Sequence, residues 1–259
     1  MRRATFIVLL GCAALAAPSV ASAAPTVTFK AQAVPIKGFR GTGNIYGAGA
    51  AVKAEYAITS TEYFGSPPPV IGVNFYLPKG TVLHTSGFPT CNEAVLRQAG
   101  PIGCNKKAQA GPIGSVLGFV TFGGERVEEP TELFSFYKPG GGLTFFDDGH
   151  SPTSLEIYSN GRYLHLAGAG GYGPELETKV PLVPSVPGAP FASIKTITVE
   201  AGSAIKVHGK PVYYGRVPKK GQCPKGGFNI KTEVIFAENG EESKPVTVTK
   251  AYKAPCPRS

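Results

Sequence analysis

Between Thr26 and Tyr252 apolar residues recur at every second position, in runs that glycine and proline keep short. That period belongs to strands with one buried face, because successive side chains of an extended chain point to opposite sides. Thr26 to Val34, Ala51 to Ile58, Val70 to Leu77, Val116 to Phe122, Val127 to Tyr137, Leu143 to Phe146 and Ile194 to Val199 read as strands. In the second of them Val52, Ala54, Tyr56 and Ile58 share a face, and Lys53 and Glu55 lie on the other. Strands do not alternate with helices, so a parallel α/β sheet is not expected. The repeated turns predict an all-β chain, an antiparallel β-sandwich or jelly roll, with residues 24–259 as a single domain.

Two hairpins are expected. Asn160-Gly161 suits a two-residue turn in which both positions take positive φ. That turn would set Ile157 opposite Leu164 and Leu155 opposite Leu166, with Tyr158 opposite Tyr163 and Glu156 opposite His165 on the other face. The last hairpin spans Phe228 to Tyr252 around Asn239-Gly240. A two-residue turn there would set Val246 opposite Glu233 and mix the faces, so a longer loop or a bulge is expected. Pro181, Pro184, Pro187 and Pro190 recur at the polyproline II period, which reads as a stiff crossover.

One segment, Asn92 to Gln98, looks helical. Thr90 or Asn92 can cap it, Glu93 and Arg97 sit at the dipole ends that favour them, and Gly100-Pro101 stops it. Two turns are marginal alone in water. A disulfide between Cys91 and Cys104 would tie both ends down, and the twelve-residue gap without a histidine does not suit zinc.

The first 23 residues read as a secretory leader: Arg2-Arg3, an apolar run from Ala4 to Ala17, and Ala21-Ser22-Ala23 at the cleavage site. The run is too short and alanine-rich for a membrane span. A lipid anchor at Cys12 is the minor alternative. Loss of the leader leaves Cys91, Cys104, Cys223 and Cys256, and an even count in an exported chain implies two disulfides. Three connectivities exist; nearest-neighbour pairing is the simplest.

The whole chain carries a formal charge of +9, and removing residues 1–23, which hold two arginines and no acid, leaves +7. The excess favours anionic surfaces in general. Its lysines are dispersed and no nucleic-acid motif appears, so nucleic acid is not an expected partner.

Catalytic signals are sparse. Asp147-Asp148-Gly149-His150-Ser151 reads as a loop after a strand and is the best candidate for metal-assisted or nucleophilic hydrolysis; metal would need His84 or His165 to fold over it. Triads are usually assembled from distant segments, and Asp-Gly suits a plain turn. A glycosidase needs two carboxylates across a cleft. Glu125, Glu128 and Glu129 share one segment, with Glu128 and Glu129 on opposite faces, and Glu156 faces His165 in the expected hairpin. No G-x-S-x-G or H-E-x-x-H occurs. Tryptophan is absent, which weakens a sugar-stacking platform, although Tyr158 and Tyr163 could form one.

The pattern Cys91…Leu96…Gly100-Pro101…Cys104…Lys107…Gly111 resembles a group of uncharacterised exported strand-rich proteins of high-GC Gram-positive bacteria. Leu77-Pro78-Lys79-Gly80 and Cys223-Pro224-Lys225-Gly226-Gly227-Phe228 with Cys256 are similar too. The resemblance implies export, disulfides and a β fold, and assigns no activity or site residue. The leading expectation is a secreted, monomeric, non-enzymatic protein without cofactor or metal, binding an anionic envelope polymer or polysaccharide. A hydrolase using Asp148 and His150 is the alternative, and a carrier of an apolar ligand inside the sandwich is the third.

Overall fold

The computed structural model describes residues 24–36, 49–165, 169–216 and 224–255. The expected leader, Cys12, Cys223 and Cys256 lie outside these residues. Strands β1 (Thr26–Val34), β2 (Ala51–Thr59), β3 (Val70–Pro78) and β4 (Val82–Leu83) come first. The helix α1 (Glu93–Ala99) follows, then β5 (Gly114–Phe122), β6 (Glu125–Tyr137), β7 (Leu143–Gly149), β8 (Leu155–Leu164) and β9 (Tyr172–Lys179). The chain ends with β10 (Ser193–Ala201), β11 (Ala204–Val207), β12 (Lys210–Tyr213), β13 (Gly215–Arg216), β14 (Phe228–Ala237) and β15 (Pro245–Ala254).

Eleven of these strands form one antiparallel sheet in the order β1-β2-β10-β5-β6-β7-β8-β9-β3-β14-β15. The all-β antiparallel expectation holds. This sheet is continuous and rolls until its two edge strands, β1 and β15, lie against each other. The seam between them is closed by side chains rather than by a backbone ladder: Phe29 meets Tyr252 with ring centroids 6.0 Å apart. Behind it Val27, Phe29, Tyr56, Ile58, Val70, Ile230, Val234 and Phe236 form a packed core.

Asn160-Gly161 does not turn. Leu155 to Leu164 runs straight through it as β8, with Asn160 opposite Thr144 on β7 and Lys179 on β9. Turning there would strip two ladders at once, so the neighbours override the local preference. Both residues have tertiary reasons instead. A Cβ on Gly161 would lie 2.9 Å from Leu176 Cδ1, and Asn160 Nδ2 donates to Glu93 Oε2 at 2.6 Å. The chain reverses later, around Ala169–Gly171. The last hairpin does have the longer loop: Phe236 pairs with Val246, and residues 238–244 span the turn. The proline-spaced segment crosses from β9 to β10, which are not neighbours in the sheet. It doubles back on itself, with Pro184 bridging Phe191, and so is not a straight polyproline ridge.

The disulfide Cys91–Cys104 is formed. Asn92 caps α1 through its side chain, which accepts from Ala94 N at 3.0 Å, and the Gly100 N–H closes the other end on Leu96 O. The cysteine-bounded segment covers the outer face of β6, β7 and β8. Leu96, Cys91 and Ala108 pack there on Phe136, Phe146 and Tyr158. Arg97 lies 4.1 Å above the Tyr158 ring, and Cys91 N donates to Tyr137 O at 2.8 Å. A closed loop of about 14 residues contributes roughly 3 kcal/mol through chain entropy. Replacing both cysteines with serine is expected to cost about that much in urea titrations. The same variant should speed amide exchange in α1 before the sheet. Unchanged exchange at Leu96 would mean that packing on Phe136 holds the segment without the bond.

Candidate functional site

The side chains that roll inward do not all meet. Leu143, Phe145 and Asp147 of β7, Ile157, Ser159 and Tyr163 of β8, and Ile197, Val199 and Ala201 of β10 line a cavity of about 180 Å³. Val73, Phe75 and Leu77 of β3 and Leu176 of β9 complete its apolar wall. Strand parity produces this directly, since alternate residues of each strand share the inner face.

Three tyrosines gather at one end, around Leu143. The rings of Tyr137 and Tyr214 stack at 4.1 Å, and Tyr163 lies 6.1 Å from Tyr214. Tyr137 and Ser203 hydroxyls are 2.8 Å apart, the Tyr163 hydroxyl bonds to that of Tyr214, and Tyr214 donates to Gly142 O at 3.4 Å. Burial raises the pKa of Tyr137 and Tyr163 well above the usual phenol range and that of Tyr214 to about 12, so all three remain neutral.

Asp147 lies four residues further along β7, about 13 Å at a strand's rise per residue. It is a strand residue, not a loop residue, because β7 runs on from Phe146 to Gly149 and pairs Asp147 with Leu133 and Ile157. Its side chain faces inward. Thr131 Oγ1 donates to Oδ1, while Oδ2 has no protein donor among the described residues. Asp147 is half-buried, and its removal from bulk water raises its pKa to about 7; the Thr131 bond opposes this, and the charges of Asp148 and Glu129 add to it. Asp147, these three tyrosines and Tyr56 are the ionisable groups of the cavity wall, which includes no lysine, arginine or histidine among the described residues. Nearby, Glu129 is fully buried and accepts from Ser151 N at 3.0 Å, Thr153 N at 3.1 Å and Thr153 Oγ1 at 3.3 Å.

The other candidates separate. Asp148 points outward, opposite in face to Asp147, and its Oδ2 lies 3.4 Å from Nε2 of the exposed His150. Glu156 pairs with Asp148, not His165, and accepts from Tyr158 at 2.6 Å. No group of three or more histidine, cysteine or acidic side chains suits a metal ion among the described residues, and neither His84 nor His165 closes over Asp148. Tyr158 and Tyr163 cannot form a platform: five apart on one strand, they face opposite sides, Tyr158 under α1 and Tyr163 in the cavity. Glu128 pairs with Lys195 outside the sheet, while Glu129 is inside, as alternation requires. Lys53, Lys195, Lys231 and Lys244 are each tied to a glutamate.

Sequence reading missed Tyr137, Tyr214 and the inward aim of Asp147. Parity could have found the last, since Leu143, Phe145 and Asp147 share a face if β7 is continued. Among the described residues no helix is long and apolar enough to cross a membrane. No protein-family model, curated protein or solved structure matches the chain.

Proposed function

We propose that the protein is a non-enzymatic binding protein that holds a small apolar ligand inside its rolled sheet. With the leader expected at residues 1–23, this reading makes it an exported carrier or scavenger. The cavity of about 180 Å³ with hydrocarbon and aromatic walls supports it. The cavity is partly open, and a ligand seated in it would take its apolar wall and its own hydrocarbon surface out of water, at about 25 cal/mol per Å² covered. An engineered apolar cavity of about 150 Å³ in another protein stays dry and takes up benzene.

Calorimetric titration with 1-hexanol tests the reading. Saturable one-site binding with a negative heat-capacity change is expected. Ala201 lines the cavity on β10, and Ala201→Phe fills part of it. That variant should keep its thermal unfolding transition and bind hexanol at least tenfold more weakly. Equal binding by both proteins would place hexanol elsewhere and overturn the reading.

A further inference from the structure

We propose that the ligand is an apolar amine whose ammonium group is anchored by Asp147. This rests on the cavity being a ligand site and adds the chemistry of the ligand's head. The observation is the mismatch between Asp147 and its surroundings. A carboxyl group projects into a wall of Leu133, Phe145, Ile157 and Ile194, with one oxygen held by Thr131 and the other without a protein donor among the described residues. A carboxylate in an apolar wall without a counter-charge is disfavoured. The wall provides no cation among the described residues, so the empty site keeps the acid protonated and the ionised form is favoured only when a ligand brings the compensating charge. An alkylammonium ion does this: it gives Asp147 Oδ2 a charge-assisted hydrogen bond and leaves its chain against the apolar wall toward Tyr163 and Tyr214. A fatty acid would bring a second carboxylate to the first and is selected against.

The groups that face Asp147 set the sign of the pH dependence. Glu129 on β6 and Asp148 on β7 add negative charge, Thr131 donates a hydrogen bond, and Leu133 and Ile157 on the flanking strands are uncharged. The neighbouring charges therefore oppose ionisation, and so does burial, which places half-ionisation at about pH 7. Ammonium binding needs the ionised form. It should strengthen with pH, by about 30-fold between pH 5.5 and pH 8, while alcohol binding carries no such term.

The experiment titrates the purified protein with three probes of equal chain length, n-hexylamine, 1-hexanol and hexanoate, at pH 5.5 and pH 8. At pH 8 the amine should bind at least tenfold tighter than the alcohol, and hexanoate weakest. Asp147→Asn keeps the shape and the Thr131 bond, and should abolish both the amine preference and its pH dependence while still binding hexanol. Thr131→Val removes the donor that favours ionisation and should move the midpoint of the amine profile to higher pH. Tight hexanol binding with no amine preference at pH 8 would overturn the anchor and leave the cavity reading intact. Binding of none of the three would overturn both. An amine preference that survives Asp147→Asn would place the anchor elsewhere and also defeats the proposal.

Discussion

Replacing Asp147 with asparagine is expected to raise the stability of the ligand-free protein at pH 8 by about 4 kcal/mol and to leave it nearly unchanged at pH 4. The folded protein keeps the Asp147 proton up to about pH 7, whereas an exposed aspartate in the unfolded chain releases it near pH 4. Between those values the folded state binds the extra proton, so this group makes stability fall as pH rises. The stabilisation by the neutral acid is complete below the unfolded value and is lost by the time pH passes the folded one. Asparagine imitates the neutral acid: it is uncharged and still accepts from Thr131. Urea titrations of both proteins at pH 4, 6 and 8 read the effect directly. Parallel stability curves would mean that Asp147 ionises freely and that the cavity admits enough water to solvate it. The same substitution thus stabilises the empty protein and disables amine selection, the trade expected of a site that keeps a costly group for its ligand.

The second large effect belongs to the packed half of the sheet. Phe236→Ala is expected to lower stability by about 3 to 5 kcal/mol, with an unchanged denaturant slope. Phe236 is fully buried on β14, opposite Val70 on β3 and Val246 on β15, within the core that includes Val27, Ile58 and Val234. Removing its ring leaves space that strands paired on both sides cannot collapse to fill. Ile102→Ala is the control, because Ile102 is 95% exposed, and it should change stability by less than about 0.5 kcal/mol. A loss under about 1 kcal/mol for Phe236→Ala would show that this half of the sheet yields as readily as a loop.

Strand positions were legible where one face is apolar. Ala51 to Thr59 shows this well: Ala54, Tyr56 and Ile58 are buried, and Lys53 and Glu55 pair outside. The capped helix and its disulfide were legible as well, because caps, dipole charges and cysteine spacing act locally. Two kinds of information were not local. Asn160-Gly161 is a strong turn signal, yet its glycine answers to Leu176 and its asparagine to Glu93, both distant in sequence. Asp147 looked like the start of a loop because a charged residue beside Asp148, Gly149 and His150 resembles turn chemistry. Its inward face is fixed by pairing with Leu133 and Ile157. Whether inward residues meet or leave a gap depends on the curvature of eleven strands together, which no short window of sequence encodes. The cavity was for that reason only one of several expectations.

The seam concentrates the closure of the sheet in side chains. Opening most rolled sheets breaks a ladder of backbone hydrogen bonds, but parting β1 from β15 breaks contacts such as Phe29 against Tyr252 and leaves every ladder intact. The line opposite the middle of the sheet is therefore held by side-chain packing alone, with Val27, Ile58, Ile230 and Val234 directly behind it. Both edges carry features that discourage strand addition by another chain, Lys30 on β1 and Pro245, Lys250 and Lys253 on β15. No residue of β1, β14 or β15 lines the cavity, so parting these two strands exposes the packed core and not the ligand site: the seam bears on how the sheet stays closed, and the two ends of the molecule can change separately.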